Sequence, residues 1–331
     1  VSDPASADSP FDLDLSTHPH DGFFKAVFSD PDKAGAFFRN HLPEDVVQRI
    51  EWSSLTVLPA SFVKRDLQQS HSDLLFSVQL SGRETLLYLV FEHQSTPDPL
   101  MPLRLLSYMV EIMLAHTRDH PLPVPPVLGF VLHQGPASWN VSTSFEQLFQ
   151  LPPDAAEALL PYLPKFRHAL LDLTRCDPAR EEDRADLRIV LQLMKCAREQ
   201  RLLEFFAWLA GEYAGIRASI SETLLRLALW YALHSDTSLD VEDIFRHLQS
   251  EPQLKHTTMS VAEKLIARGR VEGRVEGRTE GKWIGKLQVL EELLGEPVTP
   301  EETLRALSLT DLENRFRDCQ QRYDAQFKRA T

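Results

Sequence analysis

Cysteine is nearly missing from this chain. Cys176, Cys196 and Cys319 are scattered, odd in number and lack metal-ligand spacing. A disulfide framework and a zinc finger are thereby excluded, and reduced thiols in a cytoplasmic protein are expected. Long apolar runs are missing too. None approaches the roughly 18 residues that a membrane span needs. Residues Val1 to His18 are acidic and polar, without the charged-then-apolar order of a signal peptide. There is no GxxxxGK[ST] phosphate loop and no GxSxG elbow, so P-loop and α/β-hydrolase chemistry are set aside. Basic residues are outnumbered, 35 Lys and Arg against 48 Asp and Glu, for a net charge of −13. That charge opposes non-specific binding of nucleic acid, so any nucleic-acid site has to be local.

What is present suits a soluble protein with a large core. The chain has 331 residues, 43% of them hydrophobic and 25% charged, enough for two domains. Its organising stretch is His71 to Gln94. Two runs rich in Leu, Val, Phe and Tyr flank a polar turn at Ser81-Gly82-Arg83, which predicts a β-hairpin. Asp73 stands near the start of the first run and Glu92 at the end of the second, roughly equidistant from the turn. Their side chains can therefore converge. Two carboxylates meeting beside an apolar run are costly unless neutralised, and a divalent cation neutralises them.

The arrangement resembles the PD-(D/E)XK nucleases, with an acid at the start of one strand and Glu-x-Lys at the end of the next. Gln94 stands here at the Lys position. Further words narrow the resemblance: Pro19-His20-Asp21-Gly22-Phe23-Phe24-Lys25, Phe62-Val63, His71-Ser72-Asp73-Leu74-Leu75-Phe76, Glu92-His93-Gln94-Ser95 and Arg104-Leu105-Leu106-Ser107-Tyr108-Met109. Together they resemble the Rpn family of transposase-like, recombination-promoting nucleases, with specific motifs over about the first half of the chain. The resemblance implies a restriction-endonuclease-like domain and a Mg²⁺ ion, with Mn²⁺ as an alternative. Asp73, Glu92 and the His93 backbone carbonyl would hold the ion, and Gln94 would position a water or a phosphate oxygen. It also implies that Asp21 joins the acidic cluster from the first helix and that Lys25 supplies the charge Gln94 lacks. A plain i,i+4 pair between Asp21 and Lys25 is the alternative. Arg104 and Tyr108, also i,i+4, either face substrate phosphates or brace the site through Glu92 or Asp98. His71 and His93 read as flanking residues, because alternation turns His93 away from Glu92 and Gln94.

In chain order, residues 1–19 read as a disordered tail. A helix begins near Asp21, taken as its cap, with Phe24, Val27 and Phe28 on its buried face. A second helix ends near His41. Trp52 to Leu67 reads as a strand region broken at Pro59, and the hairpin follows. Met101 to Thr117 reads as a helix and Val127 to His133 as a buried strand. Propensity alone gives a mixed α/β domain over residues 20–150. Short helices are expected at 144–149 and 154–163, and beyond Glu181 the spacing is helical nearly throughout. This predicts a mostly α-helical domain over 151–262 and closing helices over 291–331.

Between them, over 263–290, lies a repeat. Gly269, Gly273, Gly277, Gly281 and Gly285 recur every fourth residue beside matching Arg/Lys and Glu stripes. As an isolated helix it is poor, since like charges stack at i,i+4 and each Gly costs about 1 kcal/mol against Ala. It is either a helix completed by a partner or a solvated linker. The expected function is a Mg²⁺-dependent DNA endonuclease linked to recombination or mobile elements. It would form a homo-oligomer, a dimer being attractive, through the helical domain and the 269–285 repeat, with no membrane partner. The alternative is a nuclease-fold protein that no longer cuts and acts as a DNA-binding or assembly module. Strand transfer of the DDE type fits poorly, because it needs three well-separated acids.

Overall fold

In a computed structural model, the structure describes residues 18–59, 74–80, 86–118, 122–236, 238–248 and 283–327, with a few more between 251 and 281. Two compact units are formed, Val1–Met259 and Ser260–Thr331. In the first, α1 (Pro19–Phe28), α2 (Pro31–His41) and α3 (Glu44–Val47) precede β1 (Ile50–Leu58), β2 (Leu74–Leu80) and β3 (Leu86–Gln94). Then come α4 (Met101–His116), β4 (Val127–His133), α5 (Pro153–Leu159) and β5 (Ala169–Asp172). The helices α6 (Pro178–Glu181), α7 (Ala185–Arg198), α8 (Leu202–Ile216), α9 (Glu222–Ser235) and α10 (Val241–His247) follow.

The sheet has five strands in sequential order, β1-β2-β3-β4-β5. Its first two pairings are antiparallel and its last two parallel. The antiparallel β2–β3 pair is the expected hairpin; its turn and the stretch 60–73 lie outside the described residues. A parallel β3–β4 pair requires a crossover, and α4 supplies it. β5 is a departure from the sequence expectation, which places 151–262 in a helical domain. Ala-Leu-Leu-Asp is too short to show an alternation, yet Phe130 to His133 pair with it, so the sheet reaches past residue 150. Asp21 is a second departure. The cap of α1 is His18, Pro19 opens the helix, and Asp21 sits inside the first turn, where it complements the helix dipole. Asp30 does cap α2, accepting a hydrogen bond from the Asp32 amide.

Alternation along β3 sorts its side chains onto two apolar layers. Phe91 faces α1 and α2, where its ring lies 4.8 Å from Phe24, 4.8 Å from Phe37, 5.0 Å from Phe38 and 5.5 Å from Phe130. Tyr88 and Val90 face α4 and pack with Met101, Leu105, Met109 and Val131. Gly129 on β4 permits that approach, since a Cβ there would stand 3.0 Å from Leu105 Cδ1. β3 is thus covered on both faces and flanked on both edges, which explains its nearly unbroken apolar sequence.

The second unit contains α11 (residues 283–293), α12 (Glu301–Arg305) and α13 (Leu309–Phe327). They enclose Ile284, Leu287, Leu304, Leu312 and Cys319. The buried Glu291 carboxylate accepts hydrogen bonds from the Thr299 amide at 2.7 Å, the Thr299 hydroxyl at 2.9 Å and Arg315 at 3.0 Å. Most of the glycine repeat lies outside the described residues, but Gly285 falls within α11. Among the described residues no helix is long and apolar enough to cross a membrane.

The aromatic layer sets a stability prediction. Phe91→Ala removes the ring at its centre and is expected to cost about 3–5 kcal/mol in urea unfolding. A loss below about 1 kcal/mol would show that the layer does not carry the sheet.

Candidate active site

β3 carries an acid to the edge of the core and leaves it there. Glu92 continues the Tyr88 and Val90 row, so its side chain lies on the α4 side of the sheet and is fully buried. Arg104, one turn into α4, reaches it with Nη2 3.4 Å from Glu92 Oε2, while its Nη1 donates to Asp98 Oδ2 at 3.0 Å. Gln94 Nε2 donates to the same Glu92 oxygen at 3.3 Å. Among the described residues, Glu92 Oε1 has no hydrogen-bond partner although it is buried. A buried carboxylate oxygen without a donor costs on the order of 1–3 kcal/mol, more when charged.

Electrostatics agree with that geometry. Burial pushes the Glu92 carboxyl up to about 7, the nearby charge of Asp21 pushes the same way, and Arg104, the Gln94 bond and Lys25 oppose both. Burial alone would lower the Arg104 pKa, but its bonds to Tyr108 and Asp98 and the charge of Glu92 push it up instead. Arg104 is therefore the brace of Glu92 and Asp98. Tyr108 is buried and bonds to Arg104, so it acts through that side chain.

Asp21 and Lys25 form the i,i+4 pair that stood as the alternative reading, Nζ to Oδ2 at 3.2 Å, both partly exposed. Their charges act on the Glu92 carboxyl in opposite senses, Asp21 raising its pKa and Lys25 lowering it. Asp73 lies outside the described residues. The pairing of β2 with β3 runs to Leu74 opposite Phe91, next to Glu92. His93 turns to the other face, as alternation requires. Its ring stacks on Phe24 at 5.3 Å and its Nε2 lies 2.9 Å from Gln134 Oε1. Among the described residues no three His, Cys, Asp or Glu side chains are grouped as a metal site. The chemistry of the donors present still fits a cation: an orphaned buried carboxylate oxygen with a second acid nearby. Sequence reasoning missed His133. It is fully buried after β4 pairs with β3, with Nδ1 3.1 Å from the Gln94 carbonyl and Nε2 2.8 Å from that of Ala137.

The fold and site define a class: a mixed α/β protein with a buried acid at the end of its central strand. A family profile described as "Putative transposase, YhgA-like" matches residues 18–222. The Recombination-promoting nuclease RpnD of Escherichia coli O157:H7 is 37% identical over 127 residues, which is 37% of this chain and 49% of that protein. RpnC of Escherichia coli K12, of the same description, is 31% identical over 138 residues, 41% of this chain and 46% of that protein. RpnE of the same strain, described as an inactive recombination-promoting nuclease-like protein, is 26% identical over 260 residues, 77% of this chain and 83% of that protein. The chain spans about half the length of RpnD and RpnC. No solved structure matches it. The chain belongs to this YhgA-like family, that of the Rpn recombination-promoting nucleases.

The raised Glu92 pKa fixes the sign of a pH effect. Between about 4.5 and about 7 the folded chain holds a proton on Glu92 that the unfolded chain has released, so this contribution to stability falls as pH rises across that window. Glu92→Gln removes it. The stability of the wild type relative to Glu92→Gln is expected to decline from pH 4.5 to 7 in urea titrations. A flat difference would mean that Glu92 is solvated.

Proposed function

We propose that the chain is a metal-dependent DNA endonuclease, hydrolysing phosphodiester bonds in recombination or on mobile elements, with a restriction-endonuclease-like domain built on the β1–β5 sheet. One observation carries the reading. Glu92 is buried at the end of the central strand with one oxygen unpaired, a position that physical chemistry disfavours unless a cation belongs there. The names of RpnD and RpnC support it.

In this reading Asp73, Glu92 and the His93 carbonyl hold Mg²⁺, for which Mn²⁺ can substitute, and Asp21 adds negative charge from α1. The bound ion would polarise the scissile phosphate and lower the pKa of a water. Gln94 presents a neutral amide that orients the water or a phosphate oxygen through one donor pair and one acceptor. Lys25 supplies the positive charge that a lysine at position 94 would carry. Arg104 holds Glu92 until a phosphate competes for its fork, which suits two oxygens of one phosphate. A homo-oligomer formed through the helices after residue 150 and the 269–285 repeat would bring two such sites to one duplex, and a cytoplasmic location would give them access to DNA.

The second reading, a DNA-binding or assembly module that does not cut, draws on Gln94 in place of lysine, on the net charge of −13 and on the likeness to RpnE. A plasmid assay separates the two. With Mg²⁺, supercoiled DNA is expected to become nicked or linear, EDTA to stop it, and Asp73→Ala or Glu92→Ala to lower the rate by at least about a hundredfold. A folded wild type that stays inert supports the assembly module. Variants that cut like the wild type contradict the site.

A further inference from the structure

One buried polar chain joins the two elements that carry the acids. His93, between Glu92 and Gln94 on β3, has Nε2 2.9 Å from Gln134 Oε1. Gln134 Nε2 donates at 2.6 Å to the Tyr231 hydroxyl and at 2.6 Å to the Met194 carbonyl. The Tyr231 oxygen lies 2.6 Å from His20 Nδ1, and His20 precedes Asp21 on α1. Gln134 and Tyr231 are wholly buried, and the Tyr231 ring stacks on Phe23 at 4.3 Å.

One order uses every donor and acceptor in this chain, the Tyr231 hydroxyl proton included. Met194 offers a carbonyl, so the Gln134 amide nitrogen faces it, and its oxygen is left for His93. His93 then carries its proton on Nε2. Tyr231 accepts from Gln134 and donates to His20 Nδ1, which leaves the His20 proton on Nε2.

We infer that Gln134 and Tyr231 are positioning residues: they tie the start of α1 to the end of β3 and hold Asp21 and Glu92 toward one cation. Left alone, two like charges would move apart, and Asp21 does push against Glu92. Phe24 and Phe28 pack α1 on Phe91 and His93 of β3, but apolar contacts carry no direction of their own. The hydrogen-bonded chain supplies the direction. It also gives α9 a part in the site, since Tyr231 lies beyond the segment that the family profile matches, which ends at residue 222.

The inference rests on the endonuclease reading, and one experiment separates their failures. In the full chain, ring ¹⁵N shifts report the tautomers of His20 and His93, and plasmid nicking with Mg²⁺ gives kcat and KM. The wild type is expected to show both histidines protonated on Nε2. Tyr231→Phe deletes only the hydroxyl. It is expected to release the His20 tautomer and lower kcat about tenfold with KM for DNA unchanged, while the folded fraction by circular dichroism stays the same. His20→Leu, at the half-buried end of the chain, is expected to lower kcat similarly and serves if Tyr231→Phe does not fold. Wild-type kcat in a folded variant, or a proton on Nδ1 of either histidine in the wild type, overturns the inference alone. A wild type that does not nick overturns the endonuclease reading and the inference with it.

Discussion

A carboxylate in the wrong solvent governs this structure. Glu92 sits where β3 has just emerged from two apolar layers, and among the described residues nothing in its surroundings replaces water fully. Arg104 answers half of the problem from α4, sharing its charge with Asp98. A buried ion pair seldom gains net stability over an apolar pair of the same size, because two charges are desolvated to make it. The pair is therefore poorly explained as a device for stability. In the proposed endonuclease reading it is a site kept ready, since the same desolvation that raises the Glu92 pKa strengthens its attraction for any cation that arrives.

The rest of the fold serves that placement. Phenylalanines on one face and the Tyr88, Val90 and Leu105 cluster on the other fix β3 against sliding. Parallel pairing with β4 continues through Gln94 and His133, and the Gln134 amide donates to the Gln94 carbonyl at 2.8 Å, so the acid-bearing end is held by backbone hydrogen bonds on the β4 side. α1 lies across the Phe91 face, and the charges of Asp21 and Lys25 act on Glu92. The helices after residue 185 are not an appendage: α9 reaches α1 and the turn after β4 through Tyr231.

The hairpin, the buried face of α1 and the crossover helix were legible because each rests on periodicity within a dozen or so residues. The place of Glu92 was legible for a related reason: an acid closes the apolar run Leu86 to Phe91, and the strand ends two residues later. β5 was not, because four residues carry no period and only pairing with β4 reveals them. The role of Arg104 was open between substrate and brace, and spacing cannot decide it, since Glu92 lies twelve residues away. The chain from His93 to His20 was invisible: Gln134 and Tyr231 are 97 residues apart and neither belongs to a motif.

The most direct measurement is a Mn²⁺ titration of the full chain by electron paramagnetic resonance above pH 7, where Glu92 is ionised, beside Glu92→Gln. The account predicts saturable binding at one site per chain in the wild type, weakened about tenfold or more when the carboxylate becomes an amide. Equal affinity in the two proteins would mean that the buried acid answers only to Arg104, and that the strand end is not a cation site.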